Sequence, residues 1–257
     1  MAKRAPCPGG VCPDIGTLLS ESFEEFTQNI GPYALGGVSR MVVVFPIMLL
    51  AIFVFYFILF GLMALMMVGI GLIAAVLPEE LAVLGALVMQ LLFMAGFLIV
   101  MMLFAMGLSG LTAPFNASVL RAVARHQRGD EELGFSAAYS TATKDVIPVV
   151  TSIVIITTIS LLGACLCYFP ALIAAFFLVF AFSFVVFHRL GAIEAIVTSF
   201  RHVQRHLTWH VGFFGIYFAI LMVAGYVPIL GPMFATALFV RAYRNIFGDG
   251  EQIVHPN

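Results

Sequence analysis

The sequence predicts an all-α integral membrane protein with about six transmembrane helices. Of its 257 residues, 62% are hydrophobic and only 10% are charged, whereas soluble domains carry about 25% charged residues. Four long segments contain no Asp, Glu, Lys or Arg: 41–78, 81–120, 146–187 and 211–240. Each exceeds the roughly 20 apolar residues that cross a bilayer, and none alternates as barrel strands do. Helices are therefore the spanning structure that fits.

The basic residues predict the orientation of these helices. All twelve Lys and Arg residues fall on one side of the membrane if the chain crosses six times. The intervening turns at 78–80, 163–170 and 226–232 contain none of them. The positive-inside rule then places both termini in the cytoplasm. Segment 41–78 leaves two interpretations open, one long helix bent near Pro46 or a span followed by a re-entrant piece.

An amphipathic stretch precedes each pair of spans, which indicates an internal threefold repeat. A gapless alignment brings together Leu19, Phe135 and Ile196. The same alignment superposes the polar triplets 27–29, 143–145 and 204–206. We therefore predict a flexible cytoplasmic tail over residues 1–14 and one transmembrane domain over 15–257. Its repeats are expected at about 15–130, 131–189 and 190–248, each an interfacial helix followed by a two-span hairpin.

Two segments carry a resemblance to other proteins, Phe187-His188-Arg189-Leu190-Gly191-Ala192-Ile193-Glu194-Ala195-Ile196 and Val240-Arg241-Ala242-Tyr243-Arg244-Asn245-Ile246-Phe247. In these segments the chain resembles a loose group of bacterial multi-span membrane proteins of unknown function. That group includes the membrane domain attached to some glycerophosphodiester phosphodiesterases. The resemblance implies a bacterial inner membrane. It implies no phosphodiesterase activity, because the sequence contains no soluble phosphodiesterase domain.

The candidate ligand residues are three histidines at helical spacing, His202, His206 and His210. Such spacing places successive imidazoles on one face, as a metal site requires. The ladder follows the edge of an amphipathic stretch beside basic residues, so we favour anchoring at the membrane interface over metal binding. Cys7 and Cys12 lack a second pair of ligands and are expected to be free thiols. We predict no catalytic residue and no cofactor.

Residues at the ends of the predicted spans are expected to contact lipid headgroups. They are Arg40, Arg121, Arg125, Arg189, Arg201, Arg205, Trp209, Arg241 and Arg244. The expected partners are membrane lipids and other integral membrane proteins, with no nucleic acid. The predicted span interiors contain no ionisable residue, although ion-coupled transporters and intramembrane enzymes place such groups there. We therefore predict a non-enzymatic accessory or structural subunit of a membrane complex. The alternative is a small transporter or channel for an apolar or lipid-like substrate.

Overall fold

The structure is a computed structural model that describes residues 12–76, 78–142, 145–166 and 168–248. Within those ranges it contains ten helices and no strand. The helices are α1 (Ile15–Gln28), α2 (Ile30–Val76), α3 (Glu79–Arg128), α4 (Phe135–Tyr139), α5 (Val146–Leu166), α6 (Tyr168–Phe177), α7 (Ala181–His188), α8 (Ala192–Arg205), α9 (Leu207–Ala224) and α10 (Leu230–Phe247).

Among the described residues, five segments are long and apolar enough to cross a membrane, which confirms the predicted all-α membrane class. They are Ile30–Val76, Leu81–Arg128, Val146–Leu166, Phe169–His188 and Leu207–Ala224. The helix α10 occupies the place of the predicted sixth span but is less apolar, since its last turns carry Arg241 and Arg244. It runs through the centre of the molecule, and nine of its 18 residues are buried.

The helices α2 and α3 form a long antiparallel hairpin. Segment 41–78 is one continuous helix as far as Val76. This corresponds to the interpretation of that segment as one long helix and not as a span with a re-entrant piece. Phe55 contacts Phe104 with ring centroids 4.7 Å apart. Further along, a Cβ on Gly85 would lie 2.7 Å from Ile73 Cγ2. Glycine allows the two arms to approach closely at this level, as in other membrane helix pairs.

The amphipathic helices α1 and α8 pack on the bundle along a narrow face. In α1 the buried residues are Leu18, Ser22 and Phe26. In α8 they are Ala195, Ser199, His202 and Val203. Other large apolar residues of these helices point away from the bundle, with Ile193 72% and Phe23 59% exposed. An interfacial helix has this arrangement when its apolar face contacts lipid.

Aromatic side chains fill the core between α7, α8, α9 and α10. Phe180 is fully buried and lies within 6.3 Å, between ring centroids, of His202, His210, Phe213, Phe239, Tyr243 and Phe247. It belongs to the turn between α6 and α7. Because such rings bury 150–250 Å² each, this cluster is the main apolar junction between the second and third predicted repeats.

Candidate ligand cavity

Arg40 faces a cavity inside the bundle. It lies one helical turn after Gly36, at the base of the long hairpin. A Cβ on Gly36 would come within 3.1 Å of Leu133 and Met233 side chains, and one on Gly37 would lie 2.8 Å from Ile229 Cγ2. These two glycines therefore let α2 approach α10 closely. The next turn of α2 carries Arg40 into the space between the other helices.

The cavity has a volume of about 310 Å³ and draws its walls from all three predicted repeats. Its other lining residues are Ala113, Asn116, Val119, Leu120, Ile153, Val179, Phe182, Ser183, Tyr217, Thr236 and Phe239. Most of these side chains are apolar. Ligand sites in proteins are commonly cavities of this size with a few converging polar groups.

Polar atoms in the wall lack partners within the protein. Asn116 Oδ1 and Ser183 Oγ are buried and make no hydrogen bond with any described residue. Ser183 is only 1% exposed. Arg40 is partly buried, and no described carboxylate lies within 4.0 Å of it. Buried polar groups are nearly always hydrogen-bonded, so these atoms mark a site that can accept a polar ligand.

A second cavity, of about 740 Å³, lies between α1, α9 and the start of α10. Its walls are almost wholly apolar, including Leu19, Phe23, Ile220 and Phe234. Hydrophobic contact alone discriminates poorly between ligands. The Arg40 cavity is therefore the stronger candidate for specific binding.

The histidine ladder lies in the protein core and not at its surface. His202 is 4% exposed and His210 is 1% exposed, so the predicted interfacial anchoring is wrong for these two residues. The ring centroid of His202 lies 5.0 Å from that of His206 and 4.9 Å from that of His210. Among the described residues no group of three His, Cys, Asp or Glu side chains is placed to hold a metal ion. The ring nitrogens of His202 and His210 have no hydrogen-bond partner there.

Several of the predicted lipid-binding residues connect parts of the protein. Arg121 is 6% exposed and donates hydrogen bonds to the carbonyls of Val186 and Thr141 and to Asp145. Arg241 donates to Glu25 Oε2 at 2.6 Å and to Glu21 Oε2 at 3.0 Å. Their contribution to packing follows from contacts between distant segments, which hydropathy does not reveal.

The other members of that set occupy varied positions. Arg125 pairs with Glu131 at 2.7 Å, and Arg189 lies 3.6 Å from Asp145 with its side chain 56% exposed. Arg201 and Arg205 are exposed, and Arg244 is partly buried. Trp209 donates from Nε1 to the Pro13 carbonyl at 2.7 Å. This hydrogen bond holds the segment before α1 against α9.

The cysteines differ from expectation at one position. Cys12 is disulfide-bonded, so the prediction of a free thiol is wrong there. Cys7 and Cys167 lie outside the described residues. Cys165, in the last turn of α5, is a free and exposed thiol.

The sequence indicates only some of the residues that line this cavity. Asn116 is a polar residue inside an apolar segment, and Arg40 precedes the first such segment. Tyr217 occupies the position in the third repeat that aligns with Arg40 in the first. Ser183 stands among large apolar residues without any motif around it. Only the packing of the helices brings these four residues together.

The fold and composition define a polytopic α-helical membrane protein. No protein-family model, curated protein or solved structure matches the chain.

Proposed function

We propose that this protein is a non-enzymatic membrane subunit that packs against another integral membrane protein through its long hairpin. The observation that carries the proposal is the exposure of that hairpin. No described residue between 41 and 109 is buried, although nearly all of them are apolar. Such a large exposed apolar surface must contact lipid or protein.

The length of the hairpin favours protein contact over lipid alone. The helix α2 has 47 residues and α3 has 50, which correspond to about 70 and 75 Å. The hydrocarbon core of a bilayer is only about 30 Å thick. The helices α5 and α9, with 21 and 18 residues, match that thickness. A mismatch of about 40 Å is too large for tilt to absorb easily, whereas a partner could cover the extra length.

Glycines on the outer faces of the hairpin support a close contact. Gly61, Gly71 and Gly107 have no other atom within 4 Å of where a Cβ would lie. Glycine destabilises a helix by about 1 kcal/mol relative to alanine. The fold of the single chain gives no reason for this cost at these positions. Small residues at such positions let a second membrane helix approach.

The test is co-purification from native membranes with the full chain and with a variant lacking residues 54–71 and 88–105. The two deletions remove 18 residues each, about five helical turns, and shorten α2 from 47 to 29 residues and α3 from 50 to 32. They keep the connection between the two arms and remove no buried side chain. The full chain is expected to recover one defined set of membrane proteins in fixed stoichiometry. The shortened chain should remain monodisperse and lose that set. The proposal would be contradicted if both chains recovered the same partner proteins. It would also be contradicted if the full chain were purified without any partner.

We also propose that the three repeats are real structural units. The aligned residues Asn29, Asp145 and His206 each stand directly before a long helix. The residue four positions later donates its backbone N–H to that carbonyl in every case, at 3.2, 3.2 and 3.1 Å. Those donors are Tyr33, Val149 and His210, and none is more than 1% exposed. The same backbone hydrogen bond at aligned positions supports common ancestry of the units, although Asp145 has a positive φ of 54° and the other two residues do not.

Contacts between units follow the same alignment. Arg241, in the last unit, contacts Glu25 of the first. Arg121, in the first unit, contacts Thr141 of the second. Glu25 and Thr141 are aligned residues, so both arginines reach the same position of the following unit. This supports a cyclic order in which each unit packs on the next.

For localisation we propose the bacterial inner membrane with both termini in the cytoplasm, as the resemblance and the basic residues suggest. The disulfide at Cys12 opposes that orientation, because disulfides are typical of oxidising compartments. The free thiol of Cys165 lies at the end of the bundle opposite to Cys12. Its accessibility can therefore distinguish the two orientations. Its labelling in intact cells by a membrane-impermeant maleimide supports cytoplasmic termini. Labelling only after lysis reverses the orientation.

Transport of a lipid-like substrate is a second candidate, and the Arg40 cavity is the observation that favours it. An amphiphile could place its polar group beside Arg40 within otherwise apolar walls. Reconstitution into vesicles tests this function directly. A labelled lipid that crosses the bilayer faster with the protein than without it would favour transport over the accessory role.

A further inference from the structure

We infer that the cavity around Arg40 is a binding site for an oxyanion, the phosphate or carboxylate of an amphiphile or of a small soluble anion. The inference is independent of the proposed hairpin contact, because the cavity and the outer hairpin share no residue. Nothing in the membrane-subunit proposal requires a ligand here.

The first argument is the charge of Arg40. Its guanidinium is permanently positive and carries five N–H donors. No described carboxylate pairs with it, and no described residue forms a hydrogen bond with it that would substitute. A partly buried charge without a partner has lost some of its hydration, which is unfavourable. An anion in the cavity would remove that cost.

The second argument is the group of hydroxyl and amide side chains that shares the cavity. Ser183 and Asn116 carry buried polar atoms without partners, and Tyr217 and Thr236 also line the wall. Arginine and hydroxyl donors together suit the oxygen atoms of phosphate and carboxylate groups. The Asn116 oxygen and nitrogen are interchangeable in assignment, so this amide can also present a donor.

The third argument is the apolar remainder of the wall. Leu120, Ile153, Phe182 and Phe239 surround the polar groups. They would shield an aliphatic portion of the ligand from water, which favours binding in proportion to the apolar area buried. A volume of about 310 Å³ is sufficient for a small headgroup with the first part of its chain.

The experiment uses the full chain, delipidated in an uncharged detergent at constant ionic strength. Four probes are titrated: dioctanoyl phosphatidate, octanoate, inorganic phosphate and, as the uncharged control, dioctanoylglycerol. Binding is read by thermal unfolding and by calorimetry. Phosphatidate is expected to raise the melting temperature saturably, and dioctanoylglycerol is expected not to. Competition by inorganic phosphate alone assigns a soluble anion, whereas dependence on the acyl chains assigns a lipid headgroup.

Variants locate the binding within the protein. Arg40→Gln should weaken phosphatidate binding by at least about tenfold, because a charged hydrogen bond contributes about 1.5–3 kcal/mol. Arg40→Lys should retain part of the affinity. Ser183→Ala should weaken it by about two- to tenfold. The matched control Arg189→Gln removes an exposed guanidinium outside the cavity and should leave the affinity unchanged.

A second variant, which places its own anion in the cavity, tests the inference even if Arg40→Gln fails to fold. Ser183→Asp places a carboxylate in the same wall as Arg40. It should abolish phosphatidate binding and leave the unliganded protein at least as stable as before. The inference is overturned if none of the anionic probes binds saturably. It is equally overturned if Arg40→Gln and Ser183→Asp both bind phosphatidate as the unmodified chain does.

Discussion

His202 is a base held in an apolar environment. Its ring contacts Phe247 at 4.5 Å between centroids, and only 4% of the residue is exposed. Burial, together with the nearby His210, His206 and Arg205, lowers the pKa of His202 to about 3. The histidine is therefore neutral in the folded protein at all physiological pH values, and it contributes packing and not charge.

This neutral state predicts a loss of stability in acid. An unfolded histidine titrates near 6.5, so below that pH the unfolded chain binds a proton that the folded chain excludes. Stability is therefore complete above about pH 6.5 and declines between about 6.5 and 3, by on the order of 1 kcal/mol per pH unit. Thermal unfolding at pH 8 and pH 5 measures the effect.

Two variants separate His202 from the other titrating groups. His202→Phe should reduce the difference between the two melting temperatures. His206→Gln leaves the burial of His202 in place and should preserve most of the difference. An unchanged pH dependence in His202→Phe would assign the acid sensitivity to other residues.

Arg189 adopts a backbone conformation that suits glycine. It follows α7 with φ 52° and ψ 32°, in the left-handed region, which costs a residue with a Cβ roughly 1 kcal/mol or more. Arg189→Gly should raise stability by about 1 kcal/mol, since the exposed pair with Asp145 contributes little. Arg201→Gly, at an exposed position inside α8, is the matched control and should lower it by about the same amount. Thermal unfolding of both variants in detergent tests whether their stabilities change in opposite directions.

At the scale of the element, the long hairpin combines two kinds of glycine. Gly69 and Gly85 lie between the arms, where a Cβ would meet the side chains of Met89 and Ile73. Gly61 and Gly71 face open space. The first pair allows α2 and α3 to pack on each other. The second pair is free to serve an external contact.

These positions predict different consequences for the same substitution. Gly85→Leu should separate the arms, lower the melting temperature and reduce the free energy of unfolding by about 1–3 kcal/mol through overpacking. Gly61→Leu should leave the isolated protein as stable as before, or slightly more so. If the hairpin binds a partner, Gly61→Leu should still reduce co-purification. Destabilisation by Gly61→Leu in the isolated chain would show that this face packs within the protein.

At the scale of the whole molecule, buried arginines join segments far apart in the chain. Arg121 connects α3 to the turn before α5 and to the carbonyl of Val186 in α7. Arg241 connects α10 to α1. Both lie in the predicted headgroup region, where a charged side chain can be partly buried and still reach polar partners.

Removal of Arg121 is expected to weaken the whole bundle. Arg121→Gln leaves Asp145 and two carbonyls without their donor, which should cost about 3 kcal/mol, the low end for a broken buried pair because Asp145 is partly exposed. Arg205→Gln, an exposed substitution of the same kind, should change stability by no more than about 0.5 kcal/mol. Thermal unfolding in one detergent compares them. Equal melting temperatures would mean that Arg121 is solvated and does not join the units.

The membrane class and some of the breaks between helices follow from the sequence alone. Continuous apolar segments without charges have no other stable structure in a bilayer. Local signals also placed the breaks correctly, since α3 begins after Pro78 and α10 follows the turn before Pro232. Such breaks are readable because a helix end depends mainly on residues within a few positions.

Only the tertiary structure decided which polar residues are buried and what they face. Arg40 was expected at the headgroups and lies against a cavity, and His202 and His210 were expected at the surface and lie in the core. Their environment is made by residues on four or more other helices. Hydropathy and helical spacing describe one helix at a time, whereas burial depends on which helices meet. Contacts between segments more than 100 residues apart, such as Arg241 with Glu25, are therefore decided by packing.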